Sequence, residues 1–361
     1  MTVSPEASEH SESIEVEASM FVTIKEIAKM ANVHRSTVDK VIHKRVGVSD
    51  KVRERVQKII DDLAYEPNPL GKALKRQNKK LVIAAVLVKV DALDQIRAGI
   101  ERAFRTYQGL NIEVQFYVTK FPDVSGQTAI LMDLVGARVD GIILSPINAP
   151  QVKSAIDRAM NAGIAVVTTN QDIDDSARLC FVGQDGTKAG QVAGRLMGEF
   201  LGGKGRIAVI TAKRDQDDHL SVDKRERGFL HLILQEYPGL EVVENIESLE
   251  DENLIYQRTL GLLAARSDLN GIYITCGGVR EVGRALKEAQ RAHVVKVICF
   301  ERYPEIVALM QEGVITCTID SDLEEQGYRP CRLLIDYLLY DKKIKEKSMF
   351  TNISILVKEN V

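Results

Sequence analysis

Apolar positions change their period once along this chain, and the change divides it. Near the N-terminus they recur at helical spacing: Ile24, Ile27, Ala28 and Ala31, then Val38, Val41 and Ile42, then Val52, Val56, Ile59, Ile60 and Leu63. Residues three and four apart share one helix face, so the pattern predicts three short amphipathic helices. Thr23 and Glu26 form a capping box at the first, Asn32-Val33 breaks it, and Ser49 is placed to cap the third. Two short helices across a tight turn, braced by a third, make a helix-turn-helix. With the apolar stripes inward, Arg35, Ser36, Asp39 and Lys40 face out from the second helix, where base edges would be met.

From Leu81 onward, short continuous apolar runs alternate with amphipathic ones. Seven strand-like runs, from Leu81–Val88 to Val295–Phe300, are interleaved with seven helical ones, from Ile96–Tyr107 to Val279–Ala289. Repeated strand-helix units predict an α/β body of parallel sheets covered by helices, long enough for two lobes that divide near Gly183–Gly190. The domains expected are a tail at 1–20, a headpiece at 21–67, a linker or hinge at 68–79 and the two-lobed body at 80–361.

Charge sharpens this division. Phe21–Lys80 holds 15 Lys/Arg against seven Asp/Glu, a net +8 in a chain whose total is −3. A small basic module on an acidic body suits a protein that meets DNA phosphates while its larger part does something else. Met1–Met20, with five Glu and no Lys or Arg, reads as a disordered tail or as sequence ahead of a true start at Met20. Asn68-Pro-Leu-Gly-Lys-Ala-Leu-Lys-Arg is basic and too poor in apolar surface to fold alone, so it is either a linker or a helix formed on DNA. Asn68 would cap that helix, Lys72 would reach phosphate, and Leu74 has an aliphatic side chain to insert.

Other classes find less support. Five Cys without paired short spacing read as reduced core thiols, and six scattered His form no metal-binding array. No apolar run reaches the ~18 residues of a membrane span, so a cytoplasmic protein with no membrane partner is expected. Gly202-Gly-Lys-Gly205 lacks the order of a phosphate-binding loop, and no nucleophile-base pair emerges; neither enzyme activity nor a cofactor is expected.

The ordered strings carry a resemblance. Val22-Thr-Ile-Lys-Glu-Ile-Ala-Lys-Met-Ala-Asn-Val, Ser36-Thr-Val-Asp-Lys-Val-Ile, Gly47-Val-Ser and Tyr65-Glu-Pro-Asn68 closely resemble the headpiece of the LacI/GalR family of bacterial transcription regulators. That resemblance puts Arg35 and Ser36 on base-reading positions, and Asp39 and Lys40 on the family's usual Ser-Arg pair. Asp39 either accepts from a cytosine or pairs with Arg35 one turn back. His34 stands where a Ser cap is usual, which weakens that helix start. The resemblance also implies a hinge helix that pairs with its dimer mate in the minor groove and wedges Leu74 between base pairs, with Gly71 lowering its helix propensity.

Val139-Asp-Gly-Ile-Ile-Leu-Ser, Phe181-Val-Gly-Gln-Asp-Gly-Thr-Lys-Ala-Gly, Arg225-Glu-Arg-Gly-Phe and Gln326-Gly-Tyr resemble type-1 periplasmic sugar-binding proteins of the ribose type. The resemblance implies that the last part of the chain crosses between lobes, with 80–185 plus 300–320 in the first and 186–296 plus 325–361 in the second. It places ligand between them, with Asn170, Arg225, Glu301 and Ser321 on sugar-contacting positions and Gln171 where Arg is frequent. Lys89 and Gly277-Gly278 stand where an aromatic platform and an Asn-Asp pair are usual, and could admit a phosphorylated or carboxylated polyol. Tyr303 or Phe121 is then left to supply a ring. The function implied is that of a homodimeric repressor, its partners operator DNA and a sugar-like inducer; the alternatives are a corepressor-dependent regulator and a solute-binding protein without a DNA role.

Overall fold

The computed structural model describes residues 24–42, 45–62, 80–107, 110–212, 220–247 and 251–361. The chain forms two compact units, Met1–Arg76 and Gln77–Val361.

In the first unit, α1 (Ile24–Met30), α2 (Arg35–Ile42) and α3 (Asp50–Asp62) enclose a core of Ile27, Ala28, Ala31, Val38, Val41 and Val56. The turn after α1 passes through Asn32 in the left-handed region at φ 47°, a conformation Asn tolerates. His34 then opens α2: its carbonyl accepts from the N–H groups of Thr37 and Val38, and its Nδ1 accepts from the Ser36 N–H at 3.3 Å. The imidazole thus takes up the capping task of the expected Ser, contrary to the weakening anticipated from the sequence. Ser49 opens α3, its carbonyl accepting from Val52 and Arg53.

The second unit begins with β1 (Leu81–Lys89), α4 (Leu93–Thr106), β2 (Ile112–Lys120), α5 (Val124–Ala137), β3 (Gly141–Leu144), α6 (Pro150–Asn161), β4 (Ala165–Thr169) and β5 (Cys180–Gly183). There follow α7 (Gly186–Phe200), β6 (Lys204–Thr211), α8 (Leu220–Glu236), β7 (Gly239–Glu247), α9 (Glu252–Ala265), β8 (Leu269–Ile274), α10 (Val279–Glu288), β9 (Lys296–Phe300), α11 (Pro304–Gln311) and β10 (Cys317–Asp320). The chain closes with α12 (Leu323–Tyr340), β11 (Ser348–Phe350) and β12 (Ser354–Leu356). Two six-stranded sheets result, ordered β11-β5-β4-β3-β1-β2 and β12-β10-β9-β8-β6-β7. All pairings are parallel except that of β12 with β10. Central strands are buried on both faces because helices cover both, which is why they read as unbroken apolar runs.

The lobe assignment of the C-terminal third is corrected by this topology. Residues 300–320, expected in the first lobe, belong to the second, because β9, α11 and β10 continue the strand-helix winding of its sheet. Conversely α12 and β11 belong to the first: Leu323, Cys331, Leu334 and Ile335 join the core of β1 and α4, and β11 pairs with β5. Only β12 keeps its expected place. The chain therefore crosses between lobes three times, at 183–186, 320–323 and 350–354.

Each lobe contains one close crossing of helices made by glycine. A Cβ on Gly327 of α12 would lie 1.9 Å from the Ile96 carbonyl oxygen of α4, and one on Gly99 would lie 1.9 Å from that of Glu324. In the second lobe Gly190 of α7 faces the Arg225 carbonyl oxygen of α8 at 2.0 Å. Backbone on backbone leaves no flexible atom to give way, so Gly327→Ala is expected to cost about 1–3 kcal/mol by overpacking. A lowered melting temperature of the purified protein checks this; an unchanged one would show that the helices can part freely.

Candidate functional site

On α2, Arg35, Ser36 and Lys40 are exposed and Asp39 is half-buried, on the side away from the small core. Asp39 pairs with Arg45 at 3.3 Å, and Arg53 donates to the Arg45 carbonyl at 2.8 Å, so the turn after α2 is tied to both flanking helices. Thr23, Asn68, Gly71, Lys72 and Leu74 lie outside the described residues.

In the larger unit the C-terminal ends of strands from both sheets face one cavity of ≈ 670 Å³. That volume suits a small molecule. Lys89, Asn170, Gln171, Arg225, Gly277, Glu301 and Ser321 all line it, together with Phe121 and Tyr303. Two polar residues beside them do not line it: Asp172 is held in a buried pair with Arg178, and Asp322 caps α12 by accepting from the Glu325 N–H.

Arg225 is the centre of this arrangement. Its Nε donates to Gln184 Oε1 at 2.9 Å, Nη1 to the Thr275 carbonyl at 3.3 Å, and Nη2 to Glu301 Oε1 at 2.8 Å. The guanidinium also lies 3.8 Å from the Phe300 ring centroid, so that ring is occupied by a cation of the protein itself. Glu301 in turn accepts from the Ser321 hydroxyl at 2.7 Å and its N–H at 3.3 Å. The backbone of Glu301 stands at φ 72° and that of Asn170 at φ 63°, conformations that cost L-residues roughly 1–2 kcal/mol and are held by their surroundings. Gln326 Nε2 donates to both the carbonyl and the hydroxyl of Ser321, while its Oε1 accepts from Asn170 at 3.4 Å.

Thr351 joins this network to the crossings. Its hydroxyl donates to the Ser321 carbonyl at 2.6 Å, and its N–H donates to the Gly183 carbonyl at 2.9 Å. Thr351 therefore links all three segments that pass between the sheets.

The sequence reading missed several lining residues. Gln184 follows β5 within the string Phe181-Val-Gly-Gln-Asp-Gly-Thr-Lys-Ala-Gly, and Asp91 stands in the loop after β1, two residues beyond Lys89. Glu252, Glu281 and Glu305 sit in the first turns of helices, where they read as ordinary favourable partners of the helix dipole, and Arg280 stands beside Glu281 in the same turn. Together they change the electrostatics: five carboxylates, Asp91, Glu252, Glu281, Glu301 and Glu305, face Lys89, Arg225 and Arg280. An anionic ligand, suggested by Lys89 and Gly277-Gly278, would enter against this balance. Burial and then Glu305, Glu252 and Glu281 push the Asp91 carboxyl up, with Arg280 acting the other way. Four cysteines are buried, and burial pushes the thiols of Cys299 and Cys317 up to about 12; the half-buried Cys276 lines the cleft. Among the described residues no helix is long and apolar enough to cross a membrane, and no group of three His, Cys, Asp or Glu could hold a metal ion.

Comparisons with known proteins agree with this layout. Residues 23–68 match the family described as bacterial regulatory proteins, lacI family, and residues 85–343 match that described as periplasmic binding protein domain. The HTH-type transcriptional regulator TreR of Salmonella typhimurium is 24% identical over 88% of this chain and 94% of its own length. A ribose operon repressor of Haemophilus influenzae is 31% identical over 34% of this chain and 36% of its own. Among solved structures, a solute-binding protein of Burkholderia graminis in complex with D-arabinose superposes with a TM-score of 0.72 at 24% identity, covering 78% of this chain and 96% of that one. A protein described as a LacI transcriptional regulator from Bacteroides fragilis gives 0.71 at 21% identity, covering 78% and 98%.

The crowding at Asp91 has a measurable sign. Its carboxyl is raised in the folded state, so the unfolded chain ionises it first and stability is lost as pH rises above the ordinary aspartate range. Asp91→Asn is expected to melt at a higher temperature than the parent near pH 7, with the gain shrinking toward about pH 4. Melting curves of both proteins across that range check it; a gain that grew on acidification would contradict the crowding.

Proposed function

The chain belongs to the lacI family of bacterial regulatory proteins, and from that premise we propose that it is a homodimeric repressor whose operator affinity is changed by a sugar-like molecule in the cleft. The observation that carries the reading is the pairing, in one chain, of a basic helix-turn-helix with a two-lobed unit whose cavity is lined from both lobes. Arg35 and Ser36 read base edges, Asp39 orients the neighbouring cations, and Lys40 and Lys72 hold phosphates. Asn68 caps a hinge helix that brings Leu74 to the minor groove, where a second copy supplies its mate. One headpiece spans only a half-site, which is the physical reason for two.

In the cleft, Arg225 offers its remaining N–H groups to ligand oxygens, while Asn170, Gln171, Ser321 and the Gly277 backbone serve further hydroxyls. A relative that is a ribose operon repressor and a structural neighbour in complex with D-arabinose support a sugar or polyol. Ligand touching both lobes favours one arrangement of them, and the Arg225–Glu301–Ser321–Thr351 chain carries that preference to the crossing segments. The ligand is bound and released without chemical change.

Operator titrations test the DNA face. Arg35→Ala is expected to weaken specific binding by about 1–3 kcal/mol and to leave non-specific binding nearly unchanged. Lys72→Ala should weaken both alike and lower the salt slope by about 1. Equal losses of specific and non-specific binding in Arg35→Ala would sink the assignment of α2 to base edges. Titrations repeated with a ligand found by thermal shift fix the sign of the response: weaker binding supports an inducer, tighter binding a corepressor.

A further inference from the structure

The carboxylates that line the cleft are not all spoken for. Glu301 is paired with Arg225 at 2.8 Å, and Arg280 takes both Glu252 at 2.7 Å and Glu281 at 2.8 Å. Asp91, in the loop after β1 of the first lobe, and Glu305, in the first turn of α11 of the second, have no ion pair among the described residues. Both line the same cavity, and Glu305 is the charge that contributes most to raising Asp91. Closing the lobes on a neutral polyol would press these like charges together in a medium less polar than water, where their repulsion grows.

A second observation lies on the Arg225 side of the same cavity. Gln184 is 9% exposed and lines the cleft; its Oε1 is engaged by Arg225, while its Nε2 has no partner among the described residues. A buried amide N–H without an acceptor is costly, and a ligand hydroxyl or ring oxygen would satisfy it. Tyr303 connects the two sides: it is mostly buried, and Glu301, Asp91, Arg225 and Glu305 all act on its phenol. Its ring gives a face on which a cation can rest.

We propose that the effector is an amine-bearing polyol, an amino sugar or amino cyclitol, with its ammonium between Asp91 and Glu305 and its oxygens toward Arg225 and Gln184. This assignment rests on the effector reading of the cleft. An ammonium offers three donors and one positive charge to two carboxylates drawn from opposite lobes, so it removes the repulsion that opposes closure. A neutral polyol of the same skeleton fills the Arg225 side and leaves that repulsion in place.

The test is a thermal-shift panel on the full-length protein at millimolar concentration, in matched charge classes. D-glucosamine, D-galactosamine, D-mannosamine and 1-amino-1-deoxy-D-sorbitol are set against their neutral parents and against the corresponding uronic acids. Stabilisation confined to amino members, with affinity reduced roughly tenfold in Asp91→Asn and in Glu305→Gln, is the expected result. Shifts confined to neutral or acidic members, no shift from any member, or amino-sugar binding indifferent to both substitutions would overturn the proposal. Arg225→Ala, with Asn170→Ala as a milder second variant, separates the two levels of the argument. A neutral or acidic hit lost in these variants leaves the cleft reading intact and overturns the charge assignment alone. A hit of any class that survives both places binding elsewhere and overturns the cleft reading itself.

Discussion

A buried ion pair sits where the two lobes meet, and much of the larger unit is arranged around it. Arg225 and Glu301 have side chains 12% and 9% exposed, and taking two such charges from water costs several kcal/mol each unless their remaining donors and acceptors are met. Here they are met by Gln184, the Thr275 carbonyl and Ser321, with the Phe300 ring beneath the guanidinium. The geometry demands an unusual backbone at Glu301 and a glycine at 190, where α7 comes down on the Arg225 carbonyl. Such constraints are affordable only because three separate segments over-determine the site.

Those segments are the crossings between lobes. Ser321 belongs to the second, Thr351 to the third, and Gly183 to the first, and two hydrogen bonds from Thr351 hold the three together beneath the ion pair. The floor of the cleft and the connection between the lobes are thus one structure. A molecule that displaces or reinforces the bonds of Arg225 acts at once on the relative arrangement of the sheets, which is the physical requirement for a ligand to bias a two-state element. In the proposed binding mode Asp91 and Glu305, which line the same cavity from opposite lobes, act on that equilibrium through repulsion where Arg225 and Glu301 work through attraction.

The periodicity of apolar residues is enough to find the three headpiece helices and seven of the nine strands from Leu81 to Phe300; of the other two, Cys180–Gly183 is buried but only four residues long. It failed where burial is partial or context decides. Gly239–Glu247 is an edge strand interrupted by glutamates, and Ser348–Phe350 and Ser354–Leu356 are three-residue strands with little pattern to read. The lobe membership of 300–350 was reversed because periodicity carries no information about which sheet a strand joins. The resemblance and the departures from it lead to seven cleft residues, yet they do not give the charge of the cleft. Glu252, Glu281 and Glu305 stand at helix starts, where local stabilisation and ligand binding leave the same sequence signature.

The central claim is that the cleft acts on DNA binding through the bond network at the crossings, and Thr351→Val tests it most directly. Valine keeps the shape of the buried side chain and removes only the hydroxyl that reaches the Ser321 and Gly183 carbonyls, while the backbone N–H bond to Gly183 stays. Operator affinity is measured without and with saturating effector in both proteins, alongside effector affinity itself. A coupling of about 5–150-fold in the parent should fall toward unity in the variant while effector still binds. An undiminished coupling in Thr351→Val would contradict the account.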